Sequence, residues 1–160
     1  MSGAVGVGRE ARTPAAWLVG LGAGLVVLGG LVAAVTGPLD LAKGSWLAAY
    51  LVLVCGAAQV AMGRSPIRSV RAPRTGWLLL AGWNAGNAAV IAGTLIAQPF
   101  LVDAGGALLL VVLAVLLVGT LRRSPDGGRR HPAMRWAFAA LLIVLIVSIP
   151  IGLVLAHLRA

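Results

Sequence analysis

The sequence predicts an all-α integral membrane protein, a bundle of five transmembrane helices. Three observations carry that prediction. Of the 160 residues, 60% are hydrophobic and 11% charged, and the mean hydropathy is +1.00; a soluble domain of this length needs far more polar surface. The apolar residues gather into five runs, each close to the roughly 20 residues a helix needs to cross a bilayer. Those runs are continuous in Leu, Val and Ala rather than alternating. In hydrocarbon every backbone amide must be satisfied internally, so continuous runs mean helices and not a barrel wall.

Residues 1–14 (MSGAVGVGREARTP) are small, polar and charged and are expected to form a flexible cytoplasmic tail. Gly3, Gly6 and Gly8 resemble a phosphate-binding loop in composition only, because no strand precedes them. Span 1 is expected at residues 15–35. Its apolar run exceeds the roughly 7–15 residues of a signal-peptide core, which favours an uncleaved helix. Gly37 and Pro38 are the expected breakers after it. Span 2 is expected at 45–63, followed by a linker carrying Arg64, Arg68, Arg71 and Arg74. Span 3 is expected at 76–97. Gln98 and Pro99 then form a tight turn, with Pro99 suited to the first position of the next helix. Span 4 is expected at 100–121, before a second basic linker with Arg122, Arg123, Arg129 and Arg130. Span 5 is expected at 135–156, kinked at Pro150. Residues 15–160 thus read as a single five-helix domain.

An odd number of spans puts the termini on opposite sides, and the positive-inside rule says which. The tail and the two arginine linkers fall on one side and, counting Arg135 at the start of span 5, hold 11 of the 13 basic residues; the other side has only Lys43 and Arg159. The N-terminus is therefore expected in the cytoplasm and the C-terminus outside. Trp17, Trp77 and Trp136 then lie at cytoplasmic ends and Trp46 at an outer end, as interfacial anchors do. The net charge of +9 does not point to nucleic acid, because the arginines lie between apolar runs and serve topology. Twelve arginines against one lysine, with abundant Ala, Val and Gly, suggest a high-GC bacterial genome and hence the bacterial cytoplasmic membrane. A faint repeat is visible: Arg64-Ser65-Pro66 precedes Trp77 at the spacing at which Arg123-Ser124-Pro125 precedes Trp136. It would pair spans 2–3 with spans 4–5 as related hairpins.

The candidate site is the stretch GWNAGNAAV within span 3. At about 100° per residue, Asn84, Asn87, Thr94 and Gln98 share one side of a helix. Gly82, Gly86, Ala89 and Gly93 form the opposite side, a small-residue face that lets another helix approach closely. The amides either bond between helices, with Tyr50, Gln59 and Ser148 as partners, or line a path for a neutral solute. Asp103 is the sole acid within an apolar run. It is expected at the outer rim, paired with Lys43, His157 or Arg159, or else in contact with substrate or ion. Gly20-x-x-x-Gly24 and Gly29-Gly30 suit close packing of span 1, inside the protein or with a neighbour. Cys55 is the only cysteine, so neither an internal disulfide nor a cysteine-based metal site is available. His131 and His157 are expected on opposite sides of the membrane and cannot share a metal or haem.

No nucleophile–base pair, metal constellation or cofactor motif is visible. The leading expectation is a non-catalytic accessory, assembly or scaffold subunit, embedded in lipid and partnered by other membrane proteins or by itself. An oligomeric transporter or channel component using the span 3 stripe is the second. A lipid- or quinone-directed enzyme is the third.

Overall fold

The computed structural model describes residues 13–121 and 132–158. Among them the chain is helix and turn, with no strand. Helix α1 is Pro14–Thr36, α2 is Gly44–Arg64, α3 is the single turn Arg68–Arg71, α4 is Pro73–Leu95, α5 is Pro99–Leu121 and α6 is Pro132–Leu158. Four of these, α1, α2, α4 and α5, are long and apolar enough to cross a membrane. Within α6 the described apolar stretch is Phe138–Pro150. The tail before Thr13, the linker with Arg122, Arg123, Arg129, Arg130 and His131, and with it the Arg123-Ser124-Pro125 motif of the proposed repeat, and Arg159 lie outside the described residues.

Helix starts follow local chemistry. Thr13 caps α1, its hydroxyl accepting the Ala16 amide at 3.3 Å, and Pro14 occupies the first turn, where its missing N–H costs nothing. Pro73 and Pro99 open α4 and α5 for the same reason. Pro73 carries the start of α4 into the expected arginine linker, so Arg74 lies in a helical turn.

Helix α1 ends at Thr36, directly before the expected breakers, with Gly37 as its C-cap (φ −69°, ψ −53°), and one further turn follows in which Leu39 donates to the Val35 carbonyl at 3.0 Å. The chain reverses at Asp40, whose φ is 47°. Asp40 N–H reaches Gly37 O at 3.2 Å and Leu41 N–H reaches Thr36 O at 3.0 Å, a Schellman closure. Ala97, with φ 54°, does the same after α4, and Gln98 N–H reaches back to Gly93 O at 2.8 Å. Asp tolerates the left-handed region through its short polar side chain; Ala has no such excuse, which is why nothing in the sequence marked it.

The described residues divide into two compact units, 13–66 with 70–80, and 67–69 with 81–121 and 132–158. In the first, α1 and α2 form an antiparallel hairpin with a glycine seam. A β-carbon at Gly22 would lie 2.9 Å from Gly56 O, one at Gly29 2.9 Å from Ala48 O, and one at Gly63 2.8 Å from Ala15 O. The backbones therefore approach closely only because side chains are missing. The seam is Gly22, Gly29, Gly56 and Gly63. It is not Gly20 and Gly24, which have no described atom within 4 Å of a would-be β-carbon; they lie half a turn or more away from Gly22. The middle of α2, Leu51–Ala58, is wound as a π-helix, a rare form that rotates the following residues out of 3.6-residue register.

The second unit holds a matching hairpin of α4 and α5. β-Carbons at Gly86 and Gly93 would meet Leu109 Cδ2 at 2.9 Å and Val102 N at 2.8 Å, and one at Gly105 would lie 2.7 Å from Gly86 O. Gly82 fits more loosely, with Val112 Cγ2 at 3.1 Å. Leu109, Leu113 and Leu116 of α5 and Leu142 of α6 are fully buried. Pro150 lies inside α6, which continues to Leu158; Ser148 Oγ donates to the Leu145 carbonyl at 3.0 Å.

Candidate functional site

The expected stripe of α4 is present in part. Asn87 is buried, and its Nδ2 donates to the Trp83 carbonyl at 2.8 Å. Thr94 Oγ1 donates to the Val90 carbonyl at 2.8 Å and is half-buried, as is Asn84. Asn87 and Thr94 thus both lean on carbonyls four residues back in their own helix, a local way to satisfy a polar group in hydrocarbon. Gln98 leaves the stripe. The reversal at Ala97 ends α4 first, and Gln98 is exposed, its carbonyl accepting from the Leu101 amide at 3.2 Å at the start of α5.

The α4–α5 register brings one more candidate to the same hairpin. Gly93 faces Leu101 and Val102, so Asp103 lies level with the Thr94 end of α4. It is half-buried and is the fifth residue of α5, about 6 Å along the axis at 1.5 Å per residue. Asn84, Asn87, Thr94 and Asp103 therefore belong to one hairpin, with the amides towards its middle.

Two further polar side chains stand out by what surrounds them. Gln59, in the first unit, is 0% exposed, and neither its Oε1 nor its Nε2 has a hydrogen-bond partner among the described residues. It follows directly on the π-helical turns. Trp83 is 1% exposed with its Nε1 similarly unpartnered, one turn from Asn87 on the stripe side of α4. The other tryptophans are exposed in keeping with interfacial anchors, and Trp83 alone among the five is buried. Sequence reasoning passed over it. The available signal was its position in GWN, deep inside a span rather than at its end. A donor or amide left unsatisfied in a buried place costs about 1–3 kcal/mol; the hydroxyls of Ser65 and Ser69 are also buried and unpartnered among the described residues.

Of the other candidates, Tyr50 is half-buried and stacks on Trp46 with ring centroids 5.3 Å apart. Cys55 is a buried free thiol on the π-helical stretch. Tyr50 and Gln59 belong to the first unit and the Asn84–Asn87 stripe to the second. Among the described residues, no group of three or more His, Cys, Asp or Glu side chains could hold a metal ion. A groove of about 590 Å³ lies between α1 and α2, lined by Gly30, Ala33, Thr36, Ser45, Ala49 and Val52 among others. Its walls are small and mostly apolar. No family model, curated protein or solved structure matches the chain.

Proposed function

We propose that this chain is a five-span membrane protein, with its N-terminus in the cytoplasm and its C-terminus outside, that works by packing against other membrane helices as an accessory, assembly or scaffold subunit. One observation supports this reading above the others. Helix α1 has two small-residue faces, and its own unit uses only one. Gly22 and Gly29 meet α2, whereas a β-carbon at Gly20 or Gly24 would have no described neighbour within 4 Å. Only 17% of the apolar window of α1 is buried, against 39% in α2 and α5. Exposed Leu and Val in a membrane helix mean lipid and nothing more. An exposed Gly-x-x-x-Gly is different, because it offers lipid little contact and a second helix a close approach.

Purification of the tagged protein in mild detergent tests the reading. A stoichiometric companion, another membrane protein or a second copy, is expected, and Gly20→Leu with Gly24→Leu should release it while the α1–α2 hairpin persists. A monomer in both preparations would overturn it.

A second reading, a component of a solute path, is favoured by Gln59. An unpartnered amide buried beside a π-helical segment is a costly arrangement of the kind found at functional sites. On that reading, purified protein in liposomes would move a neutral solute, and Asn87→Leu or Gln59→Leu would abolish the flux.

A further inference from the structure

The first unit gathers positive charge around the N-terminal end of α1. Three glycine-scale contacts do the gathering. A β-carbon at Gly63, the residue before Arg64, would sit 2.8 Å from the Ala15 carbonyl. One at Gly76 would sit 2.8 Å from Pro14 Cβ and in closer contact with the Val70 carbonyl. Val70 is wholly buried and directly precedes Arg71, and Gly76 lies two residues after Arg74. The chain on either side of α1 is thereby held against Pro14–Leu18, and Arg64, Arg71 and Arg74 are all left exposed. None of the three forms an ion pair with a described carboxylate. The only described acid of this unit, Asp40, lies beyond the far end of α1, about 35 Å away along a helix of 23 residues.

A second feature shares this end. Trp17 and Trp77 lie with ring centroids 6.5 Å apart and are 46% and 43% exposed. Paired indoles at the end of membrane-crossing helices seat at the glycerol and headgroup level, where an apolar ring and a polar N–H are both satisfied. Guanidinium groups at that level match phosphate oxygens with two parallel N–H donors. Topology requires arginines on this side, but it does not require that they be fixed by buried contacts around one helix end beside an aromatic pair.

We propose that this end of the first unit is a binding shelf for anionic phospholipid headgroups, with Arg64, Arg71 and Arg74 on the phosphate and the Trp17–Trp77 pair against the upper acyl chain. The inference rests on the membrane character of the chain and is independent of the proposed partner-binding role of Gly20 and Gly24. Lipid is favoured over RNA or an acidic protein because the shelf opens where apolar helix begins, and because its aromatic element suits a bilayer interface.

Native mass spectrometry of the full chain in mild detergent, titrated with phosphatidylglycerol and with phosphatidylcholine, reads the selectivity. Wild type should retain phosphatidylglycerol preferentially, and less so as salt rises. Arg71→Gln with Arg74→Gln should lower that preference by about fivefold for each guanidinium lost. Arg71→Lys with Arg74→Lys should keep most of it, which separates charge from misfolding. Arg122→Gln with Arg123→Gln, in the other basic linker, should leave it unchanged. Three results would overturn the proposal: equal retention of both lipids by wild type, with or without binding of an RNA oligonucleotide; equal loss in the lysine and glutamine variants; or equal loss when Arg122 and Arg123 are replaced.

Discussion

At the residue scale, Ala97 is the clearest instance of a position chosen by its surroundings. Its φ of 54° lies in a region where a β-carbon is disfavoured. The strain is held by Gln98 N–H on Gly93 O and by the new helix starting at Pro99. Glycine would adopt the same geometry without the β-carbon penalty. Ala97→Gly is therefore expected to stabilise the protein by about 0.5–1 kcal/mol, visible as a raised Tm in detergent; an unchanged or lower Tm would mean the reversal is not strained. Gln59 is the opposite case, because its identity fits none of its surroundings. A leucine would fill similar space without two unsatisfied polar atoms, so the presence of glutamine is the best residue-level reason to keep a functional reading of the interior open.

At the element scale, each hairpin depends on glycines whose obstacles differ in kind. A β-carbon at Gly105 would run into backbone, Gly86 O at 2.7 Å and Val90 N at 2.9 Å, which moves only if the two helices separate. At Gly82 the nearest atom is a valine methyl at 3.1 Å and the next is at 3.8 Å, which a small rotation relieves. Gly105→Ala should therefore destabilise by about 1–3 kcal/mol, and Gly82→Ala by less than about 1 kcal/mol. Detergent unfolding of the two variants side by side checks the ranking; equal losses would show that the α4–α5 seam is not closed by backbone approach. The π-helical stretch of α2 belongs to this scale too. Around it Cys55, Ala58, Gln59 and Met62 are buried at the i, i+3, i+4, i+7 spacing of one helical stripe, and Gly56 and Gly63 face α1.

At the scale of the whole molecule, the testable quantity is parity. An odd number of crossings puts the termini on opposite sides of the membrane, and an even number puts them on the same side. Phosphatase and fluorescent-protein fusions at each end are expected to report a cytoplasmic N-terminus and an external C-terminus, with α6 as the fifth crossing. Two cytoplasmic reports would remove α6 from the membrane, and an external N-terminus would reverse the map drawn from the arginines. The Trp17–Trp77 contact supports α1 and α4 starting at one level, as that map requires of spans 1 and 3.

The sequence by itself determined the class of the protein and the approximate position of its helices, because hydrocarbon imposes a length and a continuity that composition reveals directly. It marked the prolines that open α1, α4 and α5, since a missing N–H matters only in helix interiors, and the Gly86–Gly93 face that meets α5, since small residues at helical spacing make a seam wherever they occur. Tertiary structure alone decided which of several glycine patterns in α1 is used, as Gly20-x-x-x-Gly24 and Gly22 with Gly29 are equally good seams until a partner helix selects one. It alone placed the reversals after α1 and α4 at Asp40 and Ala97, taking Gln98 out of the stripe, because left-handed turns at ordinary residues are forced by the packing that follows them. It alone buried Gln59 and Trp83, for burial is a property of neighbours, and a single helix carries no record of which of its faces another will cover.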